Sequence, residues 1–192
     1  MENKNNKLIL IYGAPCSGKT TLGQELSIKY NLNFISTDSV RKEIFKEKIN
    51  FSSEENHIVF ECFIKNIETS ILEGESLLCE GLFISKYRRE RLFSIMPNRI
   101  NIIYLSASIE TLKKRLEARK QNPIISEKHQ IEKYLSEEEL FDFYNRSMPP
   151  KDEKVIINTD NISEEEVLKK AINIISFEEH NKQTIQNIFL YD

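Results

Sequence analysis

An α/β fold around a parallel central sheet is predicted by three features of the sequence. Short apolar runs of strand length alternate with amphipathic helical patterns along the whole chain. The first run, Leu8–Tyr12, is uninterrupted by polar residues, as in a strand covered on both faces. It leads directly into Gly13-Ala14-Pro15-Cys16-Ser17-Gly18-Lys19-Thr20, with Thr21 following, and then into a helical pattern begun by Leu22, Leu26 and Tyr30. That octet fits G-x-x-x-x-G-K-[ST] at every fixed position, in the strand–loop–helix setting the motif requires.

The loop's chemistry follows from its backbone. Gly13 and Gly18 permit a tight turn, so that successive N–H groups converge on phosphate oxygens at a helix N-terminus. Lys19 supplies positive charge for the β- and γ-phosphates of a nucleoside triphosphate, and the Thr20 hydroxyl is a ligand for Mg²⁺.

The remaining elements fall in order. The first helix stops near Asn31, and Asn33–Ser36 is a short second strand. Thr37-Asp38-Ser39 opens a helix with Val40, Ile44 and Phe45 on one side. Ser52-Ser53 with Glu54 and Glu55 starts a longer one, whose apolar positions run from Ile58 to Leu72 before Gly74. Ser76–Glu80 is a third strand. A loop from Gly81 to Ser85 leads to a basic helix with Arg88, Arg89 and Arg91, closed by Pro97-Asn98. Residues 99–105 form a fourth strand, and Ser108 caps a helix bearing Leu112, Arg115, Leu116 and Arg119. Asn122-Pro123 breaks it. A polar insertion of about residues 121–152 follows, with helical pieces at 128–135 and 137–145, and Pro149-Pro150 ends it. Lys154–Asn158 is a fifth strand, Ser163 caps the last long helix, and a tail of about residues 178–192 ends on Ile188-Phe189-Leu190-Tyr191. The chain of 192 residues is most simply one domain spanning 1–192.

Composition narrows the function. An apolar content of 40%, a charged content of 30% and a net charge of −3 describe a soluble globular protein with no global attraction to nucleic acid or anionic membrane. The polar start and short apolar runs give no signal peptide and no membrane span. Cys16, Cys62 and Cys79 have neither disulfide-framework nor zinc spacing, so a reducing cytoplasm is the expected location. His57 and Glu61 share a helix face, but no second histidine lies near enough to complete a metal site.

In a parallel α/β sheet, ligands gather at the carboxyl ends of the strands. Asp38, Glu80 and the segment after Leu105 therefore share an edge with the phosphate loop. Asp38 is either a helix cap or a base facing an acceptor hydroxyl, and Arg41, three residues on, is either a surface charge or a holder of an anionic group. Glu80, ending a buried strand, is a candidate for Mg²⁺ through water, for a substrate hydroxyl, or for a structural role. Arg115 and Arg119 lie one turn apart on one face. They are either a solvated basic face or arginines that neutralise a transferring phosphoryl group, with the insertion as their lid.

The chain resembles the small P-loop kinases grouped with zeta-toxin-like, chloramphenicol-phosphotransferase-like and polynucleotide-kinase-like proteins, often labelled AAA family ATPases or predicted kinases. The resemblance rests on Gly13–Thr21, on Ser36-Thr37-Asp38-Ser39-Val40-Arg41, on Leu72–Gly81, on Tyr104–Ser108 and on Leu112–Arg119, and covers about residues 7–177. It implies a three-layer P-loop NTPase fold of the nucleoside-monophosphate-kinase type, with five parallel strands in the order 2-3-1-4-5 and a helical lid. It implies Asp38 as general base, Arg41 on a phosphate of the acceptor, and Arg115 and Arg119 at the phosphates of ATP. The family usually carries Asp after the third strand, where this chain has Glu80 followed by Gly81. The expected activity is transfer of the γ-phosphate of ATP, with Mg²⁺, to a hydroxyl of a small-molecule acceptor. The alternatives are a polynucleotide or tRNA 5′-hydroxyl kinase, which the acidic net charge disfavours, and an ATP-binding switch without kinase activity. A guanine-reading N-K-x-D is absent: Asn181-Lys182-Gln183-Thr184 lacks the Asp.

Overall fold

The computed structural model describes residues 7–46, 49, 51–83, 85–95, 100–122, 135–147 and 149–181. Its five strands are β1 (Leu8–Gly13), β2 (Asn33–Ser36), β3 (Leu77–Gly81), β4 (Asn101–Ser106) and β5 (Ile156–Asn158). All pair in parallel, in the spatial order β2-β3-β1-β4-β5. The helices among the described residues are α1 (Lys19–Tyr30), α2 (Thr37–Phe45), α3 (Ser53–Leu72), α4 (Lys86–Ile95), α5 (Ile109–Gln121), α6 (Glu137–Arg146) and α7 (Glu164–Asn181).

The unbroken apolar sequence of β1 is explained by its central place. Side chains of a strand alternate between faces. Leu8, Leu10 and Tyr12 pack with Val59, Phe60, Phe63, Ile64 and Ile67 of α3, whereas Ile9 and Ile11 pack with Leu22 and Leu26 of α1 and Val167, Ala171 and Ile175 of α7. Two apolar layers on one sheet give three layers in all. At roughly 1.5–3 kcal/mol for each fully buried large side chain, these clusters dominate the stability of the fold. A third cluster joins Ala14 and Cys16 of the phosphate loop to Leu112 and Leu116 of α5, to Leu135 and to Leu140 of α6.

Serine hydroxyls start the helices that the sequence marked. Ser52, Ser108, Ser136 and Ser163 each accept a backbone N–H from three residues further on. Each such cap is worth about 1 kcal/mol. Asn31 ends α1 in the left-handed conformation at φ 51°.

The fifth strand differs from the expected Lys154–Asn158. Residues Glu153–Val155 form a single 3-10 turn, and pairing with β4 begins only at Ile156. The Asp152 carboxylate accepts the Lys154 N–H at 3.0 Å, and this local cap draws the backbone away from the sheet. The fourth strand begins at Asn101, and residue 99, where it was expected to begin, lies outside the described residues. Most of the expected helical piece at 128–135 and the tail beyond 181 also lie outside them.

Candidate active site

The phosphate loop connects β1 to α1 at the carboxyl edge of the sheet. Gly13 sits at φ 151° and Gly18 at φ 99°. A Cβ on Gly13 would lie 2.2 Å from the Leu105 carbonyl oxygen of β4, far inside contact distance. A Gly13→Ala variant is therefore expected to distort the loop and to lose the thermal protection that ATP gives the parent, read by thermal unfolding with and without ATP·Mg²⁺. Cys16 occupies the left-handed region at φ 63°, where a side chain costs roughly 1 kcal/mol or more. Its packing in the third apolar cluster offsets that strain.

Lys19 is buried, and its Nζ donates to the Ala14 carbonyl at 2.8 Å, so the side chain folds back across the loop. Among the described residues, the Ser17 hydroxyl is buried without a hydrogen-bond partner. Buried polar groups in this state are costly unless a ligand completes them. Thr20 Oγ1 donates to Glu80 Oε2 at 3.3 Å, and Glu80 is the strand partner of Ser36 across the β2–β3 pair. Thr20, Glu80 and the start of α2 are thus drawn together from three elements. A hydroxyl and a carboxylate, both hard oxygen donors, fit Mg²⁺, which keeps several of its waters.

Ser36, not Asp38, caps α2. Its hydroxyl accepts the Ser39 N–H at 2.9 Å, and the Ser39 hydroxyl accepts the Ser36 N–H at 3.1 Å. Asp38 is left in the first helical turn, half-buried, two residues beyond the partner of Glu80. Capping therefore does not account for Asp38.

Arg41 is placed differently from a group that meets an acceptor. It is 6% exposed, its guanidinium is ion-paired with the buried Glu55, and it donates to Asn56 Oδ1 at 2.6 Å. The ring of Phe51 stacks on it at 4.8 Å. Glu55 also accepts the Phe51 N–H at 3.2 Å. In sequence, Glu55 is an acidic residue of a helix start; its pairing with Arg41 is a tertiary contact that periodicity does not encode.

Arg115 and Arg119 share a face of α5, as spacing requires, but meet different surroundings. Arg115 donates to the Cys16 carbonyl at 3.2 Å, to Thr159 Oγ1 at 3.0 Å and to the Thr159 carbonyl at 2.8 Å. Thr159 Oγ1 in turn reaches the Ser106 carbonyl at 3.1 Å and the Ser17 carbonyl at 3.4 Å. Arg115 is therefore a brace between the phosphate loop and the segment after β5. Its guanidinium is held below the usual arginine range by burial and by Arg119, against the pull of Asp160, Cys16 and Glu164. Asp160 accepts from the Ser108 N–H at 3.0 Å and fixes the start of α5. Hydrogen bonds from Thr111 and Ser108 hold the Asp160 carboxyl below the usual range. Thr159 and Asp160 were missed in the sequence. The one available signal was their position just past a strand's carboxyl end.

Beside the loop lies a cavity of about 390 Å³, bounded by α1, α5, the segment after β5 and the start of α7. Leu22, Ile162 and Val167 form apolar walls, and Glu25, Arg119 and Glu164 stand at its polar margin. Among the described residues no group of three or more His, Cys, Asp or Glu is arranged to hold a metal, and no helix is long and apolar enough to cross a membrane.

A family model described as an AAA domain matches residues 8–140. The chain belongs to this family. This AAA-domain chain is 33% identical over 147 residues to a shikimate kinase of Flavobacterium psychrophilum, covering 71% of the chain and 77% of that protein. A shikimate kinase of Dictyoglomus turgidum is 27% identical over 168 residues, covering 84% and 88%. Among solved structures, a gluconokinase of Sinorhizobium meliloti superposes with a TM-score of 0.68 over 91% of this chain and 94% of that one, at 16% identity, a likeness of fold. With the phosphate loop in place, the AAA-domain chain is an ATP-dependent kinase of the P-loop group, and its sheet order is the nucleoside-monophosphate-kinase-like one.

Proposed function

We propose that the protein transfers the γ-phosphate of ATP to a hydroxyl group of a small-molecule acceptor. One observation carries this: Thr20, Glu80 and the first turn of α2, with Asp38 in it, converge beside the phosphate loop. A carboxylate at this edge of the sheet, where Ser36 and not Asp38 caps the helix, would have the position of a base. The two shikimate kinases act on a small hydroxylated molecule by their names, which agrees with this choice.

The apolar cavity beside Leu22, Ile162 and Val167 would take the base of ATP, with Arg119 at its margin near the phosphates. The backbone N–H groups of Gly13–Thr21 and the Lys19 ammonium would hold the phosphates. Asp38 orients the acceptor hydroxyl and accepts its proton as the oxygen bonds to the γ-phosphorus and the bond to the β-phosphate oxygen breaks. Lys19 and the loop then stabilise the charge left on ADP. Thr20, and Glu80 through water, would hold Mg²⁺, which would supply charge neutralisation to the phosphates of ATP. Arg119 would neutralise the transferring group. Arg115, tied to Cys16 and Thr159, holds the loop in place, and Arg41, tied to Glu55, shapes the acceptor side.

The test is a transfer assay with γ-labelled ATP over a library of hydroxyl-bearing metabolites together with 5′-hydroxyl oligonucleotides. Label on a small molecule is the expected result. Label on the oligonucleotide alone, or ATP binding with no transfer to any acceptor, would overturn the proposal.

A further inference from the structure

Thr159 follows the last residue of β5 and is 3% exposed. The turn that carries it is built locally. The Asn158 side-chain oxygen accepts the Asp160 N–H at 2.7 Å, and Asn161 takes the left-handed conformation at φ 55°. The Thr159 N–H donates to the Ser106 carbonyl of β4 at 2.8 Å. None of these bonds uses the Thr159 side chain.

The Thr159 hydroxyl serves the phosphate loop instead. It accepts from Arg115 NH1 at 3.0 Å, and its one proton is shared between the Ser106 carbonyl at 3.1 Å and the Ser17 carbonyl at 3.4 Å. The same Arg115 nitrogen reaches the Cys16 carbonyl at 3.2 Å. Two consecutive carbonyls of the loop are therefore held from the side of β5, one through Arg115 and one by Thr159 itself. Among the described residues the Ser17 hydroxyl makes no bond, so the Ser17 side chain does not anchor this peptide.

Peptide planarity carries the restraint to the opposite side of the loop. In a trans peptide the carbonyl of one residue and the N–H of the next point in opposite directions. The Cys16 carbonyl thus fixes the Ser17 N–H, which closes a turn on the Ala14 carbonyl at 3.3 Å. The Ser17 carbonyl fixes the Gly18 N–H, which faces away from Thr159. Gly18, at φ 99°, has no side chain to keep it in that orientation.

We propose that Thr159 is a positioning residue of the nucleotide site, whose hydroxyl aims the Gly18 N–H at a phosphate of ATP by holding the Ser17 carbonyl, directly and together with Arg115. This rests on the ATP-dependent kinase function, and not on the acceptor or the base proposed above. A phosphate on the Gly18 N–H polarises that peptide and strengthens the bond at its other end, so the two contacts support each other.

Isothermal titration with ATP·Mg²⁺ and with inorganic triphosphate, which has no base, compares the parent with Thr159→Val, Thr159→Ala and Thr159→Ser. Thr159→Val keeps the shape of the side chain, the backbone bonds of the turn and the Arg115 bond to the Thr159 carbonyl. It is expected to bind both ligands about tenfold more weakly, the effect of one well-placed hydrogen bond. Thr159→Ser restores the hydroxyl and is expected to bind as the parent does. Unchanged ATP affinity in Thr159→Val overturns the inference. A loss confined to ATP also overturns it, because Thr159 would then act on the base and not on the loop. So does a Thr159→Ser variant as weak as Thr159→Val. Thr159→Ala takes the place of a Thr159→Val variant that does not fold. If neither folds, the hydroxyl is a requirement of the fold and the positioning role is overturned. A parent that binds ATP but not triphosphate overturns it as well, since the loop is then not set before the base docks. A parent that binds neither overturns nucleotide binding itself and the inference with it.

Discussion

Asp38→Asn is expected to bind ATP with unchanged affinity and to transfer phosphate about 10²–10⁴-fold more slowly, the usual contribution of a positioned general base. The variant isolates chemistry from folding for a structural reason. Ser36 and Ser39 already close the N-terminus of α2 by a reciprocal pair of hydrogen bonds, so the helix does not depend on Asp38 for its cap. The substitution removes a negative charge at the positive helix end, a contribution of about 0.3–1 kcal/mol. Asn keeps the shape and a hydrogen-bonding oxygen but cannot take the proton from the hydroxyl. Steady-state kinetics with the identified acceptor, read beside thermal protection by ATP, check both halves. A wild-type rate would rule out Asp38 as base.

Glu55→Ala is expected to destabilise the protein by about 3–5 kcal/mol, because it leaves the Arg41 charge buried without its carboxylate partner, beside Asn56 and the Phe51 ring. For a chain of this size that is a fall in midpoint of roughly 10 °C. It is also a large part of a typical total stability of about 5–15 kcal/mol. The double variant Arg41→Met/Glu55→Leu removes both charges and is expected to recover most of the loss, since a buried ion pair and an apolar pair of similar volume are close in stability. Urea unfolding of parent, single variants and double variant completes the cycle. Additive losses would mean that the two side chains do not support each other.

These two residues illustrate what could be read from the sequence. The phosphate loop, the five strands and the helix starts are local signals: an apolar run, a glycine spacing, a serine three residues before a backbone donor. Asp38 was a candidate because a residue just past a strand end lies at the ligand edge of any parallel sheet. The Arg41–Glu55 pair was not, because fourteen residues and a change of helix separate the partners. Arg115 shows the same limit more sharply. Helical spacing put it on one face with Arg119, but only the packing of β5 beside β4 brings Thr159 within its reach. The shortened β5 had a local cause, the Asp152 cap, that apolar patterning obscured.

The apolar cluster under the phosphate loop bears on how nucleotide affinity arises. Ala14 and Cys16 pack with Leu112, Leu116 and Leu140. The Lys19 and Arg115 bonds to the Ala14 and Cys16 carbonyls hold the same stretch from other directions. The loop is thus folded around side chains of α5 and α6 before any phosphate arrives. Ordering a flexible segment on binding costs about 0.5–1.5 kcal/mol for each immobilised side chain. Here that loss of freedom is incurred when the chain folds, so the convergent N–H groups meet the phosphates with little entropy left to lose.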